Sequence, residues 1–151
     1  MVGEADALRA MPELLKPQFV PSDMALQLII LLSAESSGTR VETFYAANPV
    51  PPEQTNTDFF SQRALIVSQS PTRGQTGDMV RQTVGNEAFD EHARIVKVGA
   101  YDAALVHDGA LPNGVRTYHL FWSDGKSDFV IAATTTPAEV VDVARSISCR
   151  G

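Results

Sequence analysis

The tripeptide Gly125-Lys126-Ser127 has the ending of a phosphate-binding loop. The complete loop has the pattern Gly-x-x-x-x-Gly-Lys-Ser/Thr and is followed by a helix, because the first glycine lets backbone amides surround the phosphates. Here Leu120 occupies the position of the first glycine, and Asp128-Phe129-Val130-Ile131 after the tripeptide has the pattern of a strand. We therefore exclude a nucleotide site and predict that Asp124-Gly125 forms the turn of a β-hairpin.

Three histidines, His92, His107 and His119, could carry protons or bind a metal. Asp90-Glu91-His92 places metal-binding residue types in a row, but adjacent side chains point in different directions and need another segment to complete a site. His107 and His119 lie in no recognisable nucleophile motif such as Gly-x-Ser-x-Gly. We assign no catalytic, cofactor-binding or metal-binding residue, and we keep a small hydrolase or metal-dependent enzyme using His92 and His107 as an alternative.

Four aromatic residues, Tyr118, Phe121, Trp122 and Phe129, gather around the predicted hairpin. Aromatic side chains contribute strongly to hydrophobic cores, which is the first interpretation. They could also line a cavity for an apolar ligand between a sheet and its covering helix, which is the second.

Length and composition restrict the class of protein. With 151 residues, of which 44% are hydrophobic, the chain is the size of one globular domain. Twelve Lys and Arg against eighteen Asp and Glu give a net charge of −6, and the basic residues are not gathered, which argues against a nucleic-acid partner. Cys149 is the only cysteine, so a disulfide framework is excluded, and the sequence indicates no role for it.

Membrane and targeting signals are weak. The longest apolar run, Met24 to Leu32, is far shorter than the roughly 20 residues that cross a bilayer as a helix, so we predict no transmembrane segment in this chain. The first residues include acidic side chains and Pro12, where a signal peptide has a basic start and an apolar core. We therefore expect either a cytoplasmic protein with Met1 as its native start, or a mature or excised portion of a cell-envelope or secreted protein whose targeting segment is absent.

Apolar periodicity and turn residues predict a series of strands, with hairpins, followed by a C-terminal helix. Predicted strands cover 26–32, 40–45, 64–69, 95–100, 103–107, 116–122 and 129–133. For the first of these, a helix capped by Ser22 or Asp23 is the alternative. Thr136-Pro137-Ala138-Glu139 is a capping box that begins a helix whose apolar face contains Val140, Val143, Ala144 and Ile147.

Two segments are less defined by their sequence. Residues 1–18 form an N-terminal arm, with one helical turn around Ala5 to Arg9 that Pro12 and Pro17 prevent from extending. The segment 70–93 is polar and longer than most connections in compact domains, so we expect a loop that is either functional or disordered. The remaining residues, 19–148, form a single predicted domain.

The order of these segments resembles a known bacterial domain family. The similarity spans about residues 19–148 and is concentrated in LFWSDGKSDFVIAATTTPAEVVDVARSI, where a Trp before an Asp-Gly turn is followed by a strand and a helix. The family is an uncharacterised extracytoplasmic one, associated with anti-sigma-factor-like chains and lipoproteins, and it is similar to the LolA-like half-barrels. The resemblance implies an α+β fold in which a single curved antiparallel sheet, a half-barrel, packs against a C-terminal helix.

The resemblance also implies a location in the cell envelope or outside the cell, and it implies no enzymatic activity and no cofactor. Together with the absence of catalytic motifs, it leads us to expect a non-catalytic binding or sensor domain. Its ligand would be an apolar small molecule held under the sheet, or a partner protein that meets the 70–93 segment. A purely structural protein-interaction domain is a further alternative.

Overall fold

The computed structural model describes residues 2–34, 38–48, 62–72, 93–107 and 116–148. In chain order the elements are helix α1 (Glu4–Ala10), strands β1 (Ala25–Ala34), β2 (Gly38–Ala46), β3 (Ala64–Pro71), β4 (Ala93–Val98), β5 (Tyr101–His107), β6 (Tyr118–Ser123) and β7 (Ser127–Ala133), and helix α2 (Pro137–Ser148). Each strand coincides with a segment in which the sequence predicts one, with small differences at the ends.

The strands form one antiparallel sheet in the order β1-β2-β3-β7-β6-β5-β4. Two meanders, β1 to β3 and β4 to β7, are joined where β3 pairs with β7, from Leu65 opposite Ala133 to Pro71 opposite Ser127. Strands β1 and β4 lie at the two edges, so the sheet is not closed. The predicted α+β class, with a single antiparallel sheet and a C-terminal helix, is confirmed.

The hairpin between β6 and β7 contains the Gly-Lys-Ser tripeptide. One carboxylate oxygen of Asp124 accepts hydrogen bonds from the backbone N–H groups of Lys126 and Ser127, both at 2.8 Å. Gly125 has a φ of 89°, a backbone angle that residues other than glycine rarely adopt. The predicted turn is therefore confirmed, and the tripeptide forms the apex of a hairpin.

A second glycine shortens a predicted strand. Gly99 has a φ of 61° and turns the chain from β4 into β5, so β4 ends at Val98 and not at Ala100. The apolar pattern continues through the turn, which is why periodicity alone places the end of the strand too late.

Helix α2 covers one face of the sheet and completes the main core. Its buried residues are those predicted from the 3.6-residue period: Val140, Val143, Ala144 and Ile147. They belong to the same cluster as Leu65, Leu120, Trp122, Phe129 and Ile131 from the central strands. The rings of Trp122 and Phe129 are stacked, with centroids 4.9 Å apart and planes 13° apart.

The N-terminal arm packs on the sheet beside β1. Ala7, Met11 and Leu14 are buried with Ile29 of β1 and Val41 of β2. The division of the chain into an arm of residues 1–18 and a domain of residues 19–148 stays a prediction.

Gln69, a polar residue of β3 with only 1% of its surface exposed, fastens this arm to the sheet. Its Oε1 accepts a hydrogen bond from the backbone N–H of Leu15, with an N···O distance of 2.8 Å. Its Nε2 donates to the backbone carbonyl of Glu13 and to the hydroxyl of Ser127, both at 3.0 Å. The buried amide is thus fully engaged, as a buried polar group must be.

The opposite face of the sheet has its own cluster, made of Leu28, Phe44, Ala46, Ala64 and Ile66. Of the predicted loop 70–93, the structure describes only the ends: residues 70 and 71 continue β3, Thr72 follows, and Ala93 begins β4. The function or disorder predicted for this loop, and Cys149, lie outside the described residues.

Candidate binding cleft

A cleft lies at the end of the sheet–helix layer where α2 begins. Its volume is about 360 Å³. The described residues that line it are Ala93, Arg94, Leu105, His107, Arg116, Tyr118 and Pro137. They come from β4, β5, β6, the residues before β6 and the first turn of α2.

Strand register explains why these residues meet. Arg94 lies opposite Leu105, and His107 lies opposite Tyr118, so alternation along β5 places all four on the face that carries α2. Tyr118 is also opposite Ala133, the last residue of β7, from which the chain continues into α2. The cleft is therefore bounded by three neighbouring strands and the beginning of the helix.

The wall of the cleft is apolar and aromatic. Leu105 is buried, and Tyr118 is half-buried and packs against the main core. The rings of His107 and Tyr118 meet edge to face, with centroids 5.9 Å apart and planes 62° apart. Concave sites with mainly apolar walls and a few polar groups are typical of small-molecule binding.

The polar groups of the cleft include two exposed guanidinium groups, those of Arg94 and Arg116. Neither forms an ion pair in the part of the chain that the structure describes. No carboxylate is among the described lining residues. The described residues of the cleft thus carry positive charge in a chain whose net charge is −6.

A second charged cluster, the Arg63 clamp, consists of Arg63, Asp23 and Glu139. Arg63 Nη1 and Nη2 donate to the two carboxylate oxygens of Glu139 at 2.9 and 2.7 Å. Its Nε and Nη2 donate to the carboxylate of Asp23 at 2.7 and 3.0 Å. Bidentate pairing of this kind is geometrically specific, and it links the segments before β1 and β3 to the first turn of α2.

The clamp changes the titration of its members. Hydrogen bonds from Arg63 lower the pKa of Glu139 to about 2, against the opposing effect of partial burial. They also lower the pKa of Asp23, and the two carboxylates raise the pKa of Arg63. Both carboxylates are already paired with Arg63, so the cluster has a structural role.

The capping box predicted for α2 is part of the same arrangement. The backbone N–H of Glu139 donates to the Thr136 hydroxyl oxygen at 3.2 Å, and the Thr136 hydroxyl donates to Oε1 of the Glu139 carboxylate at 3.1 Å. Local sequence predicts this box, but it gives no signal that Arg63, which lies far away in the chain, also binds Glu139.

The histidines do not come together in the described structure. His107 lines the cleft, whereas His119 pairs with Val106 and Ala132 and lies on the face opposite α2. His92 is outside the described residues. Among the described residues, no group of three or more His, Cys, Asp or Glu side chains is placed to hold a metal ion.

The four aromatic residues of the predicted hairpin have different positions. Trp122 and Phe129 are core residues, Tyr118 lines the cleft, and Phe121 lies on the face opposite α2. Under α2 the side chains are closely packed, so the described residues place the cleft at the end of the helix and not beneath it. Trp122 has a buried Nε1 without a hydrogen-bond partner in the described part of the chain.

Sequence patterns gave no indication of Arg94 or Arg116 as site residues. Arg94 falls in an ordinary strand pattern, and Arg116 begins a predicted strand that in fact starts at Tyr118. They line one cleft only because β5 pairs with both β4 and β6, and that pairing is not encoded in any short motif.

A second, shallower groove of about 520 Å³ lies between α1 and β1. Its two carboxylates, those of Glu4 and Asp6, are paired with Lys16 and Arg9. Because its charged groups have partners, we regard it as a weaker candidate than the cleft.

Neither described helix is long and apolar enough to cross a membrane. No family model, curated protein or solved structure matches this chain.

Proposed function

We propose that this chain is a non-catalytic binding or sensor domain that holds a small molecule in the cleft at the start of α2. The observation that carries the proposal is the cleft itself: about 360 Å³, with an aromatic and aliphatic wall beside two exposed guanidinium groups. Its volume is within the range of small-molecule sites, at the lower end.

The packing under α2 favours this position for the ligand. Trp122, Phe129 and the apolar face of α2 fill the layer between helix and sheet, so an apolar molecule placed there would have to displace core side chains. The cleft needs no such rearrangement. A partner protein that meets the 70–93 segment is the other version of the same function, and it rests on the sequence alone.

The proposal includes a class of fold and a location. An open antiparallel sheet with a C-terminal helix on one face supports a half-barrel similar to the LolA-like domains. The extracytoplasmic location rests on the family resemblance around the β6–β7 hairpin and α2. The hydrolase or metal-dependent alternative would need His92 beside His107, and no observation favours it over binding.

Binding in the cleft can be tested by nuclear magnetic resonance on the isotope-labelled full chain with a panel of small aromatic and aliphatic fragments. We expect fragments to shift the amide signals of Arg94, Leu105 and Tyr118 and to be recovered chemically unchanged.

Two variants of β6 make the test specific. Tyr118→Leu removes an aromatic wall of the cleft and should weaken fragment binding several-fold, because an aromatic face adds contact energy beyond its area. Phe121→Leu also replaces an aromatic residue of β6 by leucine, but on the face opposite the cleft, so it should leave fragment binding unchanged. If no fragment shifts the cleft amides of the folded protein, or if fragments are converted to products, the proposed function is wrong.

A further inference from the structure

We infer that the ligand of the cleft is a small organic anion, with a carboxylate or phosphate group on a compact apolar body. The inference rests on the proposed function and specifies its ligand class. It is carried by Arg94, Arg116 and the aromatic wall beside them.

The other described arginines all have partners. Arg9 pairs with Asp6 and Arg40 with Glu42. Arg63 binds Asp23 and Glu139, and Arg145 donates to the backbone carbonyl of Lys97 at 3.2 Å. Arg94 and Arg116 form no such contact with the described residues, and both line the cleft.

Guanidinium groups suit the recognition of anions. The planar fork of N–H donors matches the oxygens of a carboxylate or phosphate and can bind them in a bidentate manner. In the Arg63 clamp this chain already uses one guanidinium for bidentate carboxylate binding. In the cleft the corresponding carboxylate or phosphate would come from the ligand.

The net charge of −6 does not oppose this inference. At about 0.1 M ionic strength, charges further apart than roughly 10 Å are largely screened from each other. Among the described residues that line the cleft, Arg94 and Arg116 are positively charged and none is a carboxylate, so distant charges of the chain add little to the attraction of these two groups for an anion.

The apolar wall indicates the rest of the ligand. Leu105, Pro137 and the rings of His107 and Tyr118 offer contact to a flat or compact apolar group. A bare inorganic anion would leave this surface unused, and a long acyl chain would exceed a cleft of about 360 Å³. An aromatic or short aliphatic acid, or its phosphate ester counterpart, fits both features.

The first experiment compares two probes of nearly identical shape on the unaltered protein. Benzoate and benzamide are titrated separately into the labelled full chain at low and high salt, and the shifts of the Arg94 and Tyr118 amides give each Kd. We expect benzoate to bind about tenfold more tightly at low salt, as for a charge-assisted hydrogen bond compared with a neutral one, and to lose this advantage at high salt. Phenyl phosphate in a third titration distinguishes a phosphate site from a carboxylate site.

Variants assign the effect to the two arginines. Arg94→Gln and Arg116→Gln should each bring the affinity for benzoate close to that for benzamide, while benzamide binding is retained. Arg40→Gln removes an exposed strand arginine outside the cleft and should change neither affinity. All three residues are exposed, so the variants should fold, which their amide spectra report.

The outcomes separate the inference from the function on which it rests. Equal binding of benzoate and benzamide in the cleft overturns the anion inference and leaves a binding domain. Preference for benzoate that survives in the Arg94→Gln, Arg116→Gln double variant also overturns it. If the cleft amides respond to none of the three probes, and to none of the fragments described above, both the inference and the proposed function are wrong.

Discussion

Trp122 combines deep burial with an unused polar group. Its side chain is 1% exposed and stacks on Phe129, while its Nε1 has no acceptor among the described residues. A buried donor without an acceptor costs stability, so the contribution of this residue comes from its ring and not from its N–H group.

Substitutions can separate the contribution of the Trp122 ring to stability from that of its N–H group. We expect Trp122→Phe to lower the free energy of unfolding by no more than about 1–2 kcal/mol, because it keeps an aromatic ring and removes the unpaired N–H. Trp122→Ala should cost about 3–5 kcal/mol, since it leaves a cavity beside Phe129. Urea unfolding measures both values. Equal losses for the two variants would mean that the indole N–H has an acceptor.

Gln69 is the residue that connects the N-terminal arm to the middle of the sheet. We expect Gln69→Leu to cost about 1–3 kcal/mol, because the backbone groups of Glu13 and Leu15 lose their partner. Hydrogen exchange of the Leu15 amide should become faster. Gln27→Leu is the matched control, because the hydrogen bond that the Gln27 side chain makes to a described residue goes to the Ala46 carbonyl inside the sheet. Unchanged exchange at Leu15 in Gln69→Leu would contradict the role of Gln69.

At the scale of elements, the β6–β7 hairpin is set by its turn residues. The Asp124 carboxylate accepts hydrogen bonds from two backbone N–H groups, and Gly125 has the positive φ that the turn requires. A Cβ atom added at position 125 would meet no described atom within 4 Å, so the positive φ is what opposes an alanine there.

The turn gives a graded prediction. We expect Gly125→Ala to lower the free energy of unfolding by about 1–2 kcal/mol and Gly125→Val to lower it by more. Gly125→Asn should lower it by less than Gly125→Ala, because asparagine adopts the left-handed region more readily than most other non-glycine residues. Lys126→Ala should change it by less than about 0.5 kcal/mol, as usual for exposed residues. Thermal melts provide the comparison, and a marked loss for Lys126→Ala would contradict the assignment of this lysine as a solvated charge.

At the scale of the whole molecule, the Arg63 clamp links three distant segments of the chain. The folded state lowers the pKa of Glu139 from its usual value of 4.5 to about 2. Because the folded pKa is the lower one, ionised Glu139 stabilises the fold above about pH 4.5, and this contribution is lost as the pH falls toward 2. Asp23 acts in the same direction.

Removing the Arg63 guanidinium should therefore make the free energy of unfolding less dependent on pH under acidic conditions. We expect Arg63→Met to lose less free energy of unfolding than the unaltered protein when the pH is lowered from about 6 to about 3, although it is less stable at the higher pH. The partial exposure of the clamp reduces the size of both effects. Arg9→Met, which breaks an exposed pair within α1, is the control and should leave the pH profile unchanged. Parallel profiles for Arg63→Met and the unaltered protein would mean that the clamp contributes nothing.

Features encoded by neighbouring residues were predictable from the sequence. Asp124-Gly125 predicts the hairpin, Thr136 with Glu139 predicts the cap of α2, and apolar alternation predicts the strands. These signals depend on local backbone geometry, and the structure confirms them.

Features that depend on pairing between distant segments were not predictable. The pairing of β3 with β7, the bond from Arg63 to Glu139 and the meeting of Arg94 with Arg116 follow from tertiary register, which no short pattern specifies. The cleft is one of these features, so its position could not be predicted from the sequence. The half-barrel resemblance and the extracytoplasmic location stay predictions.

The sheet order has a consequence for how the chain folds and associates. Within each meander, neighbouring strands are consecutive in sequence, whereas the β3–β7 pairing joins residues as distant as Leu65 and Ala133. Closing this long loop is entropically costly, so the two meanders should form first and dock last. Until they dock, β3 and β7 each have an edge without a paired strand. The β7 strand of one molecule can then pair with the β3 strand of another. Concentrated refolding should consequently yield a domain-swapped dimer in which every strand keeps its native neighbour.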